Sequence, residues 1–255
     1  VEAVARAKGE IFQGLSAQGT AVINADDPFS GLWRELAGER RIVDFGLTRT
    51  AAVSADYRLE DFGSRVTLRL PQGEITTTLQ VPGRHNVSNA LAAAAAAVAV
   101  ALTVPPQAIA AGLAAFTGIA GRLQKKRAWH GAALIDDTYN ANPDSVQAAL
   151  AVLAAAPGAK LLVLGDMGEL GKDGAKLHAG IGRAAQQAGV DVLLALGELA
   201  AHAVAAFGPG ARHFTRIEDL LAELKNRLAP GVTVLVKGSR FMQMERVVKS
   251  FQEAD

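Results

Sequence analysis

The sequence has 255 residues, half of them hydrophobic and a fifth charged, which is enough for two compact units with cores of their own. Lysine and arginine number 26 against 25 aspartates and glutamates, and this net charge of +1 does not favour binding of nucleic acid or of an anionic membrane. The absence of cysteine excludes disulfides, thiolate catalysis and cysteine-ligated metals.

Residues 4–12 near the start of the chain read VARAKGEIF and contain Lys8 and Glu10. A lysine near a terminus is usually a solvated surface group, so these residues by themselves give no reason to single out Lys8. The first residue is valine and no basic-then-apolar targeting segment follows. We expect a fragment or a processed product in the reducing cytoplasm.

Residues 1–123 are predicted to mix helices with antiparallel strands. The segment TAVINADD (Thr20–Asp27) is typical of a strand that ends in polar residues. Apolar residues alternate on both sides of a turn at Pro71–Glu74, and this pattern predicts a hairpin with one buried face.

Two helices are predicted next, from Asn86 to about Thr103 and from Pro106 to about Phe116. The alanine-rich part of the first has about fourteen uninterrupted apolar residues, where a membrane span needs about twenty. We therefore interpret it as a buried helix.

Polar side chains gather where this helix begins. Asn86 and Asn89 are three residues apart and share a face beside His85, and asparagine amides both donate and accept, as the edge of an adenine ring requires. Isolated asparagines at such positions are more often helix caps. Arg122 lies in AGRLQ, where glycines and a basic run mark the predicted domain boundary after residue 123.

From residue 124 the pattern becomes regular, since apolar runs of strand length alternate with amphipathic helical segments. The four runs are HGAALIDD, AKLLVLGD, VDVLLALG and VTVLVKG. Strands that are apolar throughout indicate a parallel sheet covered on both faces, so residues 124–255 are predicted to form a doubly wound Rossmann-like α/β domain. Ligands bind such sheets at the carboxyl ends of the strands, and in this sequence polar loops follow the predicted strands.

The first of these loops, DDTYNANPDS, places Asp136 and Asp137 at the end of a strand. Neighbouring strand residues point to opposite sides, so one carboxylate is predicted to face the cleft and to accept from a ribose or pair with a cation. Asn142 is predicted to cap the next helix, with Pro143 at its first position.

The second loop, GDMGELGKDG, resembles a phosphate loop only superficially. Five residues separate Gly165 from Gly171, and Asp173 follows Lys172 where a Mg²⁺-binding hydroxyl is required. Acidic residues beside a polyanion are also opposed by Coulomb repulsion. We therefore reject a phosphate-binding role for this loop.

The last loop, KGSRFMQME, combines basic side chains with helix-terminal amides and is predicted to bind an anion. If acids of the second loop share its rim, the two together suit a small zwitterion, with acids on the ammonium and bases on the carboxylate. The residues concerned are Asp166, Glu169, Lys237, Ser239 and Arg240.

Seven segments occur in the order in which the Mur ligases have them, and the chain resembles that family from Ala7 to about Glu245. They are AKGEIF, VINADD, VPGRHNVSNALAAAA, GRLQ, IDDTYNANPDS, LGDMGELG and VKGSR. The resemblance implies that residues 1–123 are the C-terminal portion of a central ATP-binding domain and that residues 124–255 are the C-terminal ligase domain. Two of the motifs, DDTYNANP and GDMGELG, favour the branch that adds D-alanyl-D-alanine.

That branch implies an ATP-dependent amide ligase of peptidoglycan precursor synthesis, with UDP-N-acetylmuramoyl-tripeptide and D-alanyl-D-alanine as substrates. The oxygen of a free carboxylate is a poor leaving group, so ATP first phosphorylates the tripeptide carboxylate. The amine of the dipeptide then attacks the resulting acyl phosphate and displaces phosphate. Mg²⁺ and basic groups neutralise the charge in transit. We expect a monomer that has no nucleic-acid partner and does not insert into a membrane.

The resemblance also assigns site residues, and it reverses the interpretation of Lys8. Lys8 matches a carbamylated lysine that holds Mg²⁺, and Arg122 matches an arginine near the phosphates; both are assigned to catalysis. The residues matching nucleotide contacts are His85, Asn86, Asn89, Arg122 and Asp137. The residues implied on the substrate side are Tyr139, Asn140, Asn142, Asp166, Glu169, Lys237, Ser239 and Arg240.

The sequence departs from the family pattern because it lacks the domain for the UDP sugar, the Gly-Lys-Thr/Ser phosphate loop and the upstream metal-binding Glu and His. We expect negligible ligase turnover from these 255 residues alone.

Two alternatives to the ligase function remain. One is a non-catalytic module that binds a nucleotide or a peptide. The other is a folylpolyglutamate synthetase-like ligase, against which the segment DDTYNANP argues. A nicotinamide dehydrogenase is disfavoured because no strand is followed by G-x-G-x-x-G.

Overall fold

A computed structural model describes residues 2–60, 62–100 and 104–253. The chain divides into two compact units, Val1–Thr117 and Gly118–Asp255. The domain boundary predicted after residue 123 stays a prediction. The mixed α/β class that the sequence predicts is confirmed.

The first unit is built from helices and short strands around an antiparallel sheet. Its elements are α1 (Glu2–Gly9), β1 (Thr20–Asn24), α2 (Ser30–Ala37), β2 (Arg41–Phe45), β3 (Ser54–Glu60), β4 (Gly63–Leu70), β5 (Gly73–Leu79), α3 (Arg84–Val100) and α4 (Pro106–Ala115). A 3₁₀ turn, Glu10–Gly14, follows α1.

The predicted hairpin is confirmed as β4 and β5, which pair antiparallel and bury the alternating residues Val66 and Leu68. β3 extends this sheet as an antiparallel neighbour of β4. The sequence did not predict β3, because most of its side chains are exposed and leave no alternation to detect. The strand predicted from Thr20 is also confirmed as β1, but it pairs with β2 in parallel, whereas antiparallel pairing was expected for this unit.

The alanine-rich segment forms α3, as predicted. Its buried stripe repeats at helical spacing and faces the core of the first unit. The stripe consists of Val87, Ala90, Leu91, Ala94, Ala95 and Val98. Among the described residues, no helix is long and apolar enough to cross a lipid bilayer. The predicted end of this helix near Thr103 lies outside the described residues.

Asp26, just after β1, organises the loop that follows β2. Its carboxylate accepts hydrogen bonds from the amides of Leu47 (2.6 Å) and Arg49 (2.8 Å) and from the Thr48 hydroxyl (2.7 Å). Burial by itself would raise the pKa of Asp26, but these hydrogen bonds outweigh it and lower the pKa from 3.8 to about 2. The folded first unit therefore favours the ionised carboxylate.

We expect the first unit to lose stability as the pH falls from about 4 to about 2, because a carboxylate with a depressed pKa stabilises the fold only while it is ionised. Urea unfolding of wild type and Asp26→Asn across this range tests the expectation. The variant should unfold more easily than wild type at neutral pH, and the two should converge in acid. Asp44, whose pKa is also lowered, is present in both proteins, so its effect cancels. A constant difference between the two proteins would contradict the assignment.

The second unit is a six-stranded sheet with helices on both faces. Its elements are β6 (Gln124–Arg127), β7 (Ala133–Asp137), α5 (Pro143–Ala155), β8 (Ala159–Gly165), α6 (Gly174–Gln187), β9 (Val192–Leu196), α7 (Ala200–Phe207), β10 (Ala211–Phe214), α8 (Ile217–Lys225), β11 (Val232–Lys237) and α9 (Glu245–Phe251). Short 3₁₀ turns lie at Trp129–Gly131, Gly171–Asp173 and Arg240–Met242.

The strand order is β10-β9-β8-β11-β7-β6. Neighbours from β10 to β7 are parallel, and β6 adds an antiparallel edge. After their first one or two residues the central strands are buried at every position, so helices cover both faces, as the continuous apolar runs predicted. The parallel register places Lys237 beside both Asp137 and Leu164, so the ends of β7, β8 and β11 share one edge of the sheet.

Candidate functional site

A buried ion pair joins the ends of β7 and β11 at this carboxyl edge. The Lys237 Nζ lies 2.6 Å from Asp137 Oδ2 and donates to the Asn140 carbonyl at 2.8 Å. The two side chains are only 3% and 12% exposed. The other Asp137 oxygen accepts from the Leu123 amide at 3.2 Å. Lys237 therefore fixes both a carboxylate assigned to the nucleotide and the loop that follows it.

Asp136 points to the other side of the sheet, as alternation along a strand requires. It is 4% exposed; its Oδ1 accepts from the Thr138 hydroxyl at 2.7 Å, and its Oδ2 pairs with Lys126 Nζ at 3.1 Å. These partners give Asp136 a structural role. Both carboxylates therefore have internal partners, and the contact of Asp137 with the ribose stays a prediction.

Ser239 lies between two loops. Its hydroxyl donates to the Ala141 carbonyl at 3.1 Å and accepts from the Gly168 amide at 2.8 Å. Its own amide donates to the Asp166 carbonyl at 3.0 Å. The residue is 4% exposed, so these contacts lie inside the protein.

Asp166 caps a helix from a distant part of the chain. Its carboxylate accepts from the amides of Ala200 at 2.7 Å and Leu199 at 3.3 Å, where α7 begins and a negative charge is favoured. Gly197 makes the approach possible: its φ is +115°, and a Cβ there would lie 2.5 Å from Asp166 Cγ. The structure thus gives Asp166 internal partners, and its contact with substrate stays a prediction.

Glu169 and Arg240 have exposed side chains in the loops at this edge. Glu169 has a φ of +61°, which is uncommon for a residue with a Cβ. Arg240 pairs with Glu245 across 2.7 Å. Their charges meet solvent, so these two residues suit ligand contact better than the buried ones do.

Arg122 stacks on Tyr139, with its guanidinium carbon 4.4 Å from the ring centroid. Both side chains are exposed, and the Tyr139 amide donates to the Gly121 carbonyl at 3.0 Å. Stacking occupies the face of a guanidinium and leaves the N–H donors at its rim, which is the geometry that phosphate recognition uses. The sequence did not predict this pairing.

The predicted cap of α5 is confirmed. The Asn142 side chain accepts from the Ser145 amide at 2.8 Å, the Ser145 hydroxyl accepts from the Asn142 amide at 3.0 Å, and Pro143 opens the helix. Asn140 is exposed, and its side-chain oxygen accepts from the Ala141 amide at 2.8 Å. Substrate binding by Asn140 and Asn142 stays a prediction.

In the first unit, two asparagines at the start of α3 are linked. Asn89 Nδ2 donates to Asn86 Oδ1 at 3.2 Å, and Asn86 Nδ2 donates to the Pro82 carbonyl at 2.7 Å. The exposed Asn89 amide also has an oxygen and a second hydrogen, which suit a base edge. His85 is half-buried at the same helix start.

Lys8 is exposed in the last turn of α1. A carbamate at this position would give at most two oxygen ligands, whereas Mg²⁺ demands a near-octahedral set of six. The described residues contain no cluster of three or more His, Cys, Asp or Glu side chains to supply the rest. The residues present thus do not make a magnesium site by themselves.

The sequence reasoning missed His178, which is fully buried in α6. Its Nε2 lies 2.9 Å from the Met167 amide and its Nδ1 lies 2.7 Å from the Gly174 carbonyl. An amide can only donate, so Nε2 accepts and Nδ1 carries the proton. His178 therefore holds the loop after β8; its only signal in the sequence was the four-residue spacing from Gly174.

Two protein-family models and the curated relatives all relate this chain to the Mur ligases. A family model described as "Mur ligase middle domain" matches residues 1–97, and one described as "Mur ligase, glutamate ligase domain" matches residues 121–240. The UDP-N-acetylmuramoyl-tripeptide–D-alanyl-D-alanine ligase of Escherichia coli (strain K12) is 40% identical over 254 residues, which are 98% of this chain and 56% of that protein. The chain spans about half the length of the curated relatives it matches.

Solved structures of ligases also match this chain over almost its whole length. The crystal structure of MurF from Acinetobacter baumannii superposes with a TM-score of 0.88 at 35% identity, covering 98% of this chain and 55% of that one. The folylpolyglutamate synthase of Mycobacterium tuberculosis shares the fold, with a TM-score of 0.74 at 18% identity over 97% of this chain and 58% of that one.

Proposed function

Because this chain belongs to the Mur ligase family, we propose that it forms the middle and C-terminal parts of an ATP-dependent ligase that joins D-alanyl-D-alanine to UDP-N-acetylmuramoyl-tripeptide. The observation that carries the proposal is the 40% identity, over 98% of the chain, to a curated ligase of that name. The fold alone does not choose this substrate, because folylpolyglutamate synthase shares it.

In the first unit, we assign Asn86, Asn89 and His85 to the adenine of ATP. The hydrogen bond between the two asparagine amides supports this assignment, because it orients Asn89 while leaving its oxygen and one hydrogen for the base. Lys8 is assigned to catalysis as a carbamate, and its exposure leaves the amine accessible to CO₂.

In the second unit, we assign Asp137 to the ribose and Arg122 to the phosphates. A carboxylate has about four acceptor positions, so Asp137 can accept from a ribose hydroxyl while it keeps Lys237 and Leu123. Arg122, stacked on Tyr139, presents in-plane donors of the kind that bind phosphate oxygens. ATP, when bound, supplies the phosphoryl group that activates the tripeptide carboxylate.

For the acceptor dipeptide we assign the carboxyl edge of the second sheet. Glu169 and Arg240 are exposed there and carry opposite charges, which suits the ammonium and carboxylate of D-alanyl-D-alanine. We place the reaction in the cytoplasm, in peptidoglycan precursor synthesis, and the active protein as a monomer.

A product assay tests the proposal. The polypeptide of the complete reading frame is incubated with ATP, Mg²⁺, UDP-N-acetylmuramoyl-tripeptide and D-alanyl-D-alanine, and products are identified by mass spectrometry. We expect a UDP-linked pentapeptide with equal amounts of ADP and phosphate, and negligible turnover from the 255-residue chain alone. Robust activity of that chain would refute the second expectation.

The rival functions are tested with the same polypeptide, by offering it ATP with a folate and glutamate, and by measuring its binding of ATP and of D-alanyl-D-alanine. Glutamate addition to a folate, with no pentapeptide, would replace the proposal by a folylpolyglutamate synthetase-like ligase. ATP or dipeptide binding without any product would replace it by a binding module.

A further inference from the structure

We propose that Ser239, together with Lys237, is a positioning residue that fixes the loop after β7 and the loop after β8 relative to each other. The inference rests on the proposed function, in which these two loops serve the nucleotide and the acceptor dipeptide. It differs from the role that the sequence predicted, which was direct contact between these side chains and substrate.

The hydrogen-bonding capacity of Ser239 is used inside the protein. A serine hydroxyl has one hydrogen to donate, and Ser239 gives it to the Ala141 carbonyl at 3.1 Å. The oxygen accepts from the Gly168 amide at 2.8 Å. Contact with a substrate carboxylate would require that hydrogen, so it would break the link to Ala141.

The Lys237 ammonium also has its partners inside the protein. The Lys237 side chain is 3% exposed, and its ammonium contacts Asp137 and the Asn140 carbonyl. Two consecutive carbonyls, those of Asn140 and Ala141, are thus held by two side chains of the segment that ends β11. The loop after β7 is fixed by its backbone, whatever side chains it presents.

The loop after β8 is held by the same segment. Ser239 accepts from the Gly168 amide and donates its own amide to the Asp166 carbonyl at 3.0 Å. A Cβ on Gly168 would lie 2.9 Å from the Phe241 ring and 3.7 Å from Ser239 Oγ, so the backbone passes directly against this segment. Ser239 therefore contacts both loops through one oxygen atom.

The test is Ser239→Ala, with Ser250→Ala as the matched control. Ser250 Oγ also donates to a backbone carbonyl, that of Arg246 at 2.8 Å, but this bond lies within α9 and joins neither loop. Both changes remove one hydroxyl from a serine of the second unit. Ser239→Thr, which keeps the hydroxyl, is the rescue variant.

In the ligase of the complete reading frame, we expect Ser239→Ala to raise the KM for ATP and the KM for D-alanyl-D-alanine together, each by about three- to tenfold, with Ser250→Ala unchanged and Ser239→Thr partly restored. A side chain that only held the dipeptide carboxylate would raise the dipeptide KM alone. That result would overturn the inference.

Amide hydrogen exchange on the 255-residue chain gives a readout that does not depend on ligase activity. Losing the hydroxyl should speed exchange at Gly168 by about fivefold, the equivalent of one hydrogen bond, and should also speed exchange in residues 138–142. Unchanged exchange in either loop would overturn the inference even in an active ligase. Faster exchange in both loops, together with no ligase activity of the polypeptide of the complete reading frame, would refute the proposed function and leave the positioning role standing.

Discussion

Replacing Lys237 by methionine is expected to lower the free energy of unfolding of the second unit by about 3–5 kcal/mol, the usual cost of removing one partner from a buried ion pair. The Asp137 carboxylate would remain, 12% exposed, with only the Leu123 amide as a hydrogen-bond donor that the structure identifies. The Asn140 carbonyl would also lose its donor. The packing of the aliphatic stem is kept, because methionine is apolar and of similar length.

Urea unfolding of the 255-residue chain measures the effect. With Trp33 replaced by phenylalanine, fluorescence reports on Trp129, which packs edge-on against Phe251 in the second unit at a centroid distance of 5.4 Å. The double variant Lys237→Met, Asp137→Asn should recover much of the loss, because no unpaired charge remains.

Lys126→Met is the control for this prediction, since Lys126 also pairs with a buried aspartate but is 31% exposed. Its loss should be smaller, because water reaches the site and Asp136 retains the Thr138 hydroxyl. Equal losses in the two methionine variants would show that burial of the Lys237 pair does not set its energetic role.

Gly182→Ala is expected to lower the free energy of unfolding by about 1–3 kcal/mol. Gly182 lies in α6 where the helix crosses α7, and a Cβ there would stand 2.1 Å from the Ala203 carbonyl oxygen. The obstacle is backbone, so the helices must separate. This cost opposes the gain of about 1 kcal/mol that alanine usually brings to a helix interior.

Gly180→Ala provides the matched control two residues earlier in the same helix. A Cβ at Gly180 meets nothing within 4 Å, so alanine should raise the free energy of unfolding by about 0.5–1 kcal/mol through helix propensity alone. The two variants have the same composition and should move the urea midpoint in opposite directions. A stabilised Gly182→Ala chain would mean that α6 and α7 are not held in close contact.

Local patterns explain how much of this fold was predictable. The buried strands β7, β8, β9 and β11, the β4–β5 hairpin and the cap at Asn142 each depend on residues that are neighbours in sequence. The sequence did not predict β3, β6 and β10, which are edge strands with many exposed polar residues and therefore lack an apolar signature.

The candidate site was predictable in position but not in its internal contacts. Fold class and loop composition placed the polar residues at the carboxyl ends of parallel strands, where the structure has them. They gave no means of knowing that Lys237 is buried on Asp137, that Asp166 caps α7 from 34 residues away, or that Ser239 reaches back to Ala141. Those contacts depend on three-dimensional packing between distant segments, which no local pattern encodes.

The Asp-Asp doublet at the end of β7 also specifies how this strand is aligned. Asp136 is neutralised by a lysine from β6 on one side, and Asp137 by a lysine from β11 on the other. If β7 slid by a single residue, the two carboxylates would exchange faces and both ion pairs would separate at once. A misaligned β7 would therefore lose two ion pairs. The apolar residues of this strand, Ala, Leu and Ile, would by themselves tolerate such a slip.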